Sequence, residues 1–297
     1  MQDRPASRCL VGRAIHQEEF TVQAAGAVLR GVRCGGGLPL VLLHGGPGCH
    51  DYFTGSALPG WLAAEYSVCS YDQRGCRKSH SNGPFTIQAN VGDLEAIRHW
   101  IGADRLSLLG HSAGAMLAMF YAVAHPEQVE RLVLMSPAGL RPGWRNSFDA
   151  TIRERLNQQQ KKQLADLDRR ILRTADPGER ARLYQDRFNI VLPCYVDPSH
   201  RDAAPTLEFY SRDVGVETMA STLASYDEAL FRVRLAPLSD RGCIVHGRSD
   251  PIPWQVVDDY LALLPDAKVV ALEHCGHFPW LEEPEACREA LIAFLHR

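Results

Sequence analysis

The sequence predicts an α/β protein built on a mostly parallel central sheet with helices on both faces. Three observations carry that prediction. Short apolar runs without polar interruption recur along the chain, as expected of strands buried on both sides. Helical patterns lie between them. Each run stops at a polar turn, most of them glycine-bearing.

In chain order, Phe20–Val32 reads as an antiparallel hairpin at the sheet edge. Pro39–Leu43 (PLVLL) is a strand ending at HGGPG. Tyr66–Tyr71 (YSVCSY) is a strand ending at DQRG. Ile87–Ile101 has helical periodicity. Leu106–Leu109 (LSLL) runs into GHSAG, and Ala113–His125 is a strongly apolar helix. Val129–Met135, Cys243–His246 and Lys268–Leu272 complete the strands. The alternation breaks after Gly139. From Asn146 to about Ala236 no buried-strand signal occurs. Ile152, Leu156, Leu164, Leu167 and Ile171 recur at helical spacing, and Asp176-Pro177-Gly178 is expected to end that helix. The expected division is a core of residues 1–140 and 237–297 with a helical cap at 141–236.

The 297 residues are 45% hydrophobic and 23% charged, with a formal net charge of -3. Such a balance carries no bias toward polyanions, so nucleic acid is not an expected partner. No apolar stretch reaches the ~20 residues of a membrane span. The first twenty residues lack the apolar segment of a secretory signal. The nine cysteines include no C-x-x-C pair, so neither a disulfide framework nor a zinc site is expected. A reduced, cytoplasmic setting is the expectation, with no metal or organic cofactor.

The chemistry gathers at strand ends, where open parallel sheets bind ligands. Gly110-His111-Ser112-Ala113-Gly114 places a serine at a sharp strand-to-helix turn. Small residues two positions away on each side let strand and helix approach, so the hydroxyl stands exposed near a helix N-terminus. Ser112 is the expected nucleophile. A serine needs a base at neutral pH. His277 lies in the turn after the last strand and is preferred over His274, which sits nearer the strand end. The base needs an orienting carboxylate, and Asp250 follows the penultimate strand. The order Ser112, Asp250, His277 is that of α/β-hydrolases. The glycine-rich loop His44–Gly48 can bring backbone N–H groups to a reacting carbonyl. Gly46 and Ala113 are the expected oxyanion donors, one such donor being worth ~3 kcal/mol in the transition state.

With these motifs the chain resembles the α/β-hydrolase fold serine hydrolases over nearly its full length. HGGPG followed by Asp72-Gln73-Arg74-Gly75 and Ser79 resembles the prolyl aminopeptidase (proline iminopeptidase) branch. The resemblance implies a mostly parallel central sheet flanked by helices, with a helical cap insertion. It implies Ser112, Asp250 and His277 as a triad working through an acyl-enzyme on short peptides. His44 and the Asp72–Gly75 loop would shape the oxyanion site. Two positions depart from the family: Arg77 stands where it has a second glycine, and its elbow, typically GGSWG, is GHSAG here. The alternative is an esterase, lactonase or thioesterase acting on a small acyl substrate. An aminopeptidase must hold a substrate ammonium, which loses solvation on burial unless paired. The cap offers Glu154, Glu179, Glu208, Glu217 and Glu228. Glu208, in an acidic-aromatic segment, is the first choice by resemblance.

Overall fold

A computed structural model describes residues 16–296. Most of the N-terminal stretch read above for a signal segment, with Cys9, lies outside the described residues. The strands are β1 (Gln17–Ala24), β2 (Ala27–Cys34), β3 (Leu38–Leu43), β4 (Tyr66–Asp72), β5 (His80–Ser81), β6 (Leu106–His111), β7 (Val129–Met135), β8 (Gly242–Gly247) and β9 (Lys268–Leu272). The helices are α1 (Leu58–Leu62), α2 (Ile87–Ile101), α3 (Ala113–Ala124), α4 (Trp144–Arg155), α5 (Gln158–Arg173), α6 (Pro177–Val191), α7 (Arg212–Ser225), α8 (Glu228–Leu235), α9 (Gln255–Leu261), α10 (Pro279–Glu282) and α11 (Pro284–Leu295).

The described strands form one sheet in the order β1-β2-β4-β3-β6-β7-β8-β9, with β5 beside β2. From β4 to β9 the pairing is parallel, while β1, β2 and β5 pair antiparallel. The expected edge hairpin is present, closing through Ala25-Gly26. Every residue of β4, β6 and β8 is buried, which is why their sequences read as unbroken apolar runs. Successive side chains of a strand face opposite ways. Val41, Leu43, Leu132 and Leu134 therefore join a cluster with α2 and α3, whereas Leu40, Leu42, Val133 and Met135 join one with α11. The sheet thus carries two apolar cores, one per face.

Strand order reverses between β3 and β6, adjacent in space with Leu43 opposite Gly110. That switch point is where such sheets open a crevice beyond their carboxyl ends. The loops leaving these two strands are HGGPG and the serine turn.

From Trp144 to Leu235 the chain is helical, α4–α8 with short 3-10 turns between some of them, and contributes no strand to the sheet. The single helix expected through Ile171 is two. α4 ends at Arg155, and Asn157 caps α5, its side chain accepting the Gln160 N–H while Gln160 reaches back to the Asn157 N–H. Asp176-Pro177 is likewise a start rather than a stop. α5 has already ended at Arg173, Asp176 accepts the Glu179 N–H, and Pro177 occupies the first turn of α6.

One electrostatic element of α2 yields a stability prediction. Glu95 takes two N–H donors from Arg98 and the Tyr121 hydroxyl at 2.7 Å. The Arg98 hydrogen bonds chiefly hold its carboxyl down at about 2. A carboxylate with a depressed folded-state pKa stabilises the fold above its unfolded value, and that contribution is lost as pH falls through the folded value. The urea midpoint should therefore fall between about pH 4.5 and 2, and less steeply in Glu95→Gln. Parallel curves for the two proteins would remove Glu95 from the acid transition.

Candidate active site

Ser112 sits at φ 56°, ψ -120°, between β6 and α3. This is the strained backbone expected of a residue thrust out at a strand-to-helix corner. Its N–H donates to Met135 O at 3.0 Å, and its carbonyl accepts from Ala115 and Ala138 at 3.1 Å, which ties the corner to β7. The flanking glycines are required by contact. A Cβ on Gly114 would stand 2.0 Å from Leu43 O and 2.7 Å from His44 O. Neither backbone oxygen can yield without moving β3. Gly114→Ala should cost about 3 kcal/mol of stability, measured as a lowered urea midpoint; an unchanged midpoint would contradict this packing.

His277 is buried, and its Nδ1–H donates to Asp250 Oδ2 at 2.8 Å. That contact sets the tautomer and leaves Nε2 as the basic nitrogen. The other Asp250 oxygen accepts the Ile252 N–H at 2.8 Å. Burial pushes the Asp250 carboxyl up, but His277 first, then His246 and the Ile252 N–H, together outweigh burial and hold it below the usual carboxylate range. His274 is exposed and takes no part. The His277 backbone is anchored at both ends, its N–H on Tyr195 O at 2.9 Å and its carbonyl on His111 Nε2 at 2.7 Å. Glu282, which the sequence reading passed over, clamps the same turn. Its carboxylate accepts the N–H groups of Asp197, Gly276 and Phe278 at 2.6–2.8 Å.

His111 joins the pieces. Its Nε2 faces a carbonyl oxygen and must carry the proton, so Nδ1 accepts from the Tyr52 hydroxyl. The Tyr52 oxygen in turn accepts the Gly45 N–H. Burial drives the His111 pKa well down, consistent with a neutral relay. The chain of bonds runs from the HGGPG loop through the serine turn to the base. His44 accepts the Gln73 N–H at 3.0 Å, and the Gln73 side chain donates to His44 O at 2.7 Å. Arg74 forms a buried pair with Asp93 at 2.5 Å. These residues of the Asp72–Gly75 segment hold the loop from behind.

Ser112, His277, Gly46 and Ala113 line one pocket. Among the described residues, neither the Gly46 nor the Ala113 N–H donates to a protein acceptor, and the Ser112 hydroxyl has no hydrogen-bond partner. Helices of the 144–235 segment supply aromatic and aliphatic walls, including Trp144, Phe148, Phe188 and Met219. Glu208, the first choice for a substrate ammonium, stands apart from this pocket. Glu208 is exposed, does not line the pocket and pairs with Arg77. Arg77 has φ 33°, the left-handed conformation of a glycine position. The other four glutamates are outside the pocket as well. Glu217 accepts the Phe85 N–H, Glu228 pairs with Arg141 and Arg232, Glu179 accepts from Thr174, and Glu154 is exposed.

The fold and this strand-end site define a hydrolase architecture, and the comparisons agree. The profile of the α/β hydrolase fold family matches residues 39–284, and the chain belongs to that family. It is a hydrolase by that membership. Similar proteins include a proline iminopeptidase of Heyndrickxia coagulans, 26% identical and aligned over 88% of this chain and 92% of its own. A proline iminopeptidase of Lactobacillus delbrueckii subsp. bulgaricus is 29% identical over 86% and 89%. Among solved structures, an esterase from Thermogutta terrifontis superposes with a TM-score of 0.68 at 19% identity, covering 94% of this chain and 98% of its own. At that identity the likeness speaks for the fold alone. No described helix is long and apolar enough to cross a membrane.

Proposed function

We propose that the protein is a serine hydrolase of small acyl substrates, with Ser112 as nucleophile, His277 as base and Asp250 as orienting acid. The observation that carries this is the buried Asp250–His277 bond at 2.8 Å, with the base and Ser112 lining one pocket. Ser112 Oγ attacks the acyl carbon while His277 Nε2 takes its proton. The N–H groups of Gly46 and Ala113 receive the oxyanion. The tetrahedral adduct then expels the leaving group, which takes the proton from His277. Water, deprotonated by the same nitrogen, releases the acyl group as a carboxylic acid. The helices of 141–236 act as a cap restricting entry, and the setting is cytoplasmic.

Esters, thioesters or lactones fit the pocket better than peptides with a free N-terminus, because among the described residues no carboxylate lines it to balance an ammonium. The aminopeptidase alternative is favoured by the relatives named proline iminopeptidase. Proline naphthylamide and short acyl p-nitrophenyl esters, assayed side by side on purified protein, separate the two. Ester turnover with little amide cleavage is expected. Amide cleavage at comparable kcat/KM would restore the peptidase.

A further inference from the structure

Among the described residues that line the pocket at Ser112, one carries a permanent charge, and it is positive. Arg145, near the start of α4, lines the pocket at its mouth, where the residue also meets solvent. No described Asp or Glu lines it. Some arginines of the same segment are paired with carboxylates: Arg141 with Glu228 and Asp259, Arg187 with Asp168, Arg232 with Glu228. Among the described residues the Arg145 guanidinium has neither an ion-pair partner nor a hydrogen-bond acceptor. Its central carbon lies 4.6 Å from the Trp144 ring centroid and 5.8 Å from that of Phe148. Aromatic faces hold a guanidinium while leaving its in-plane N–H donors free. Trp144 is itself fixed, donating Nε1–H to Gly139 O at 3.0 Å, and Phe148 is buried. The charge is felt deeper in the same pocket. Burial pushes the Tyr195 hydroxyl up, and Arg145 is the chief influence drawing it back; the Tyr195 ring stands 5.4 Å from that of His277.

A planar, unpaired fork of donors beside a pocket lined by aromatic, aliphatic and uncharged polar groups matches the two oxygens of a carboxylate. We propose that Arg145 is a specificity-determining residue that binds a substrate carboxylate, so that the enzyme prefers acyl compounds bearing a free carboxylate over neutral or ammonium-bearing ones. This rests on the hydrolase chemistry proposed above and narrows its substrate class.

Two matched pairs test it. Mono-4-nitrophenyl adipate and its methyl ester place the charge on the acyl side, and 4-acetoxybenzoate and its methyl ester place it on the leaving group. The wild type should prefer the charged member of at least one pair by about tenfold in kcat/KM, as one charge-assisted contact supplies. In Arg145→Gln that ratio should collapse toward 1, with Arg145→Lys between. A folding defect lowers both members alike and leaves the ratio, so the ratio is the readout. A wild-type ratio near 1 in both pairs, or one unchanged in Arg145→Gln, overturns the assignment. Binding of monomethyl adipate against dimethyl adipate, by calorimetry on Ser112→Ala and on Ser112→Ala/Arg145→Gln, keeps the two proposals apart. Arginine-dependent binding with no turnover by the wild type upholds the carboxylate site and defeats the hydrolase. Turnover without charge preference does the reverse.

Discussion

Ser112→Ala is expected to fold like the wild type and to lose ester turnover by ~10⁴–10⁶. The fold survives because the strained corner is held by backbone groups. The Ser112 N–H on Met135 O and the carbonyl on Ala115 and Ala138 do not involve the hydroxyl. The side chain meets no hydrogen-bond partner among the described residues, so its removal leaves no buried polar group unpaired. All of the loss then lies in the covalent step. Near-wild-type melting with turnover at background would match this. Retained turnover would take Ser112 out of the mechanism, and a collapsed melting temperature would make the activity loss uninformative.

Asp250→Asn is expected to lower kcat by about 10⁴, with only a modest change in KM. The carboxylate holds the Nδ1 proton of His277 at 2.8 Å while accepting the Ile252 N–H on its other oxygen. Asparagine keeps the shape. If its carbonyl stays on Ile252, its NH₂ faces Nδ1, and the imidazole must move its proton to Nε2, the nitrogen that should receive the Ser112 proton. Among the described residues the carboxylate is also the only negative charge within hydrogen-bond reach of the imidazole, so the imidazolium formed during attack loses its counter-charge. Asp250→Asn with more than about a tenth of wild-type kcat would place the orienting acid elsewhere.

Much of this was legible in the sequence where physics acts locally. Strands buried on both faces write themselves as unbroken apolar runs, and β3, β4, β6, β7, β8 and β9 were found that way. The serine turn was legible because its glycines are demanded by backbone contact, as Gly114 against Leu43 O makes plain. The helical segment was harder. Apolar spacing runs on from Ile152 to Ile171 and hides the break at Asn157, whose capping box lies inside a polar run that reads as a solvated face. Asp176-Pro177 carries both stop and start chemistry, and only the preceding end at Arg173 decides between them. Partnerships distant in sequence were not legible at all. Glu208 is the first choice by family resemblance, yet Arg77, far from it in the chain, takes its carboxylate. Tyr52, Glu282 and Arg145 belong to no short motif; His111 sits inside one, but its two partners come from loops after β3 and β9.

The most direct measurement is the site of covalent labelling by a fluorophosphonate, read by intact mass and peptide mapping. A stoichiometric single adduct on Ser112 is predicted, absent from Ser112→Ala and formed far more slowly by His277→Ala. No adduct on a protein that still hydrolyses esters, or an adduct on another residue, would contradict the nucleophile and with it the proposed chemistry of the site.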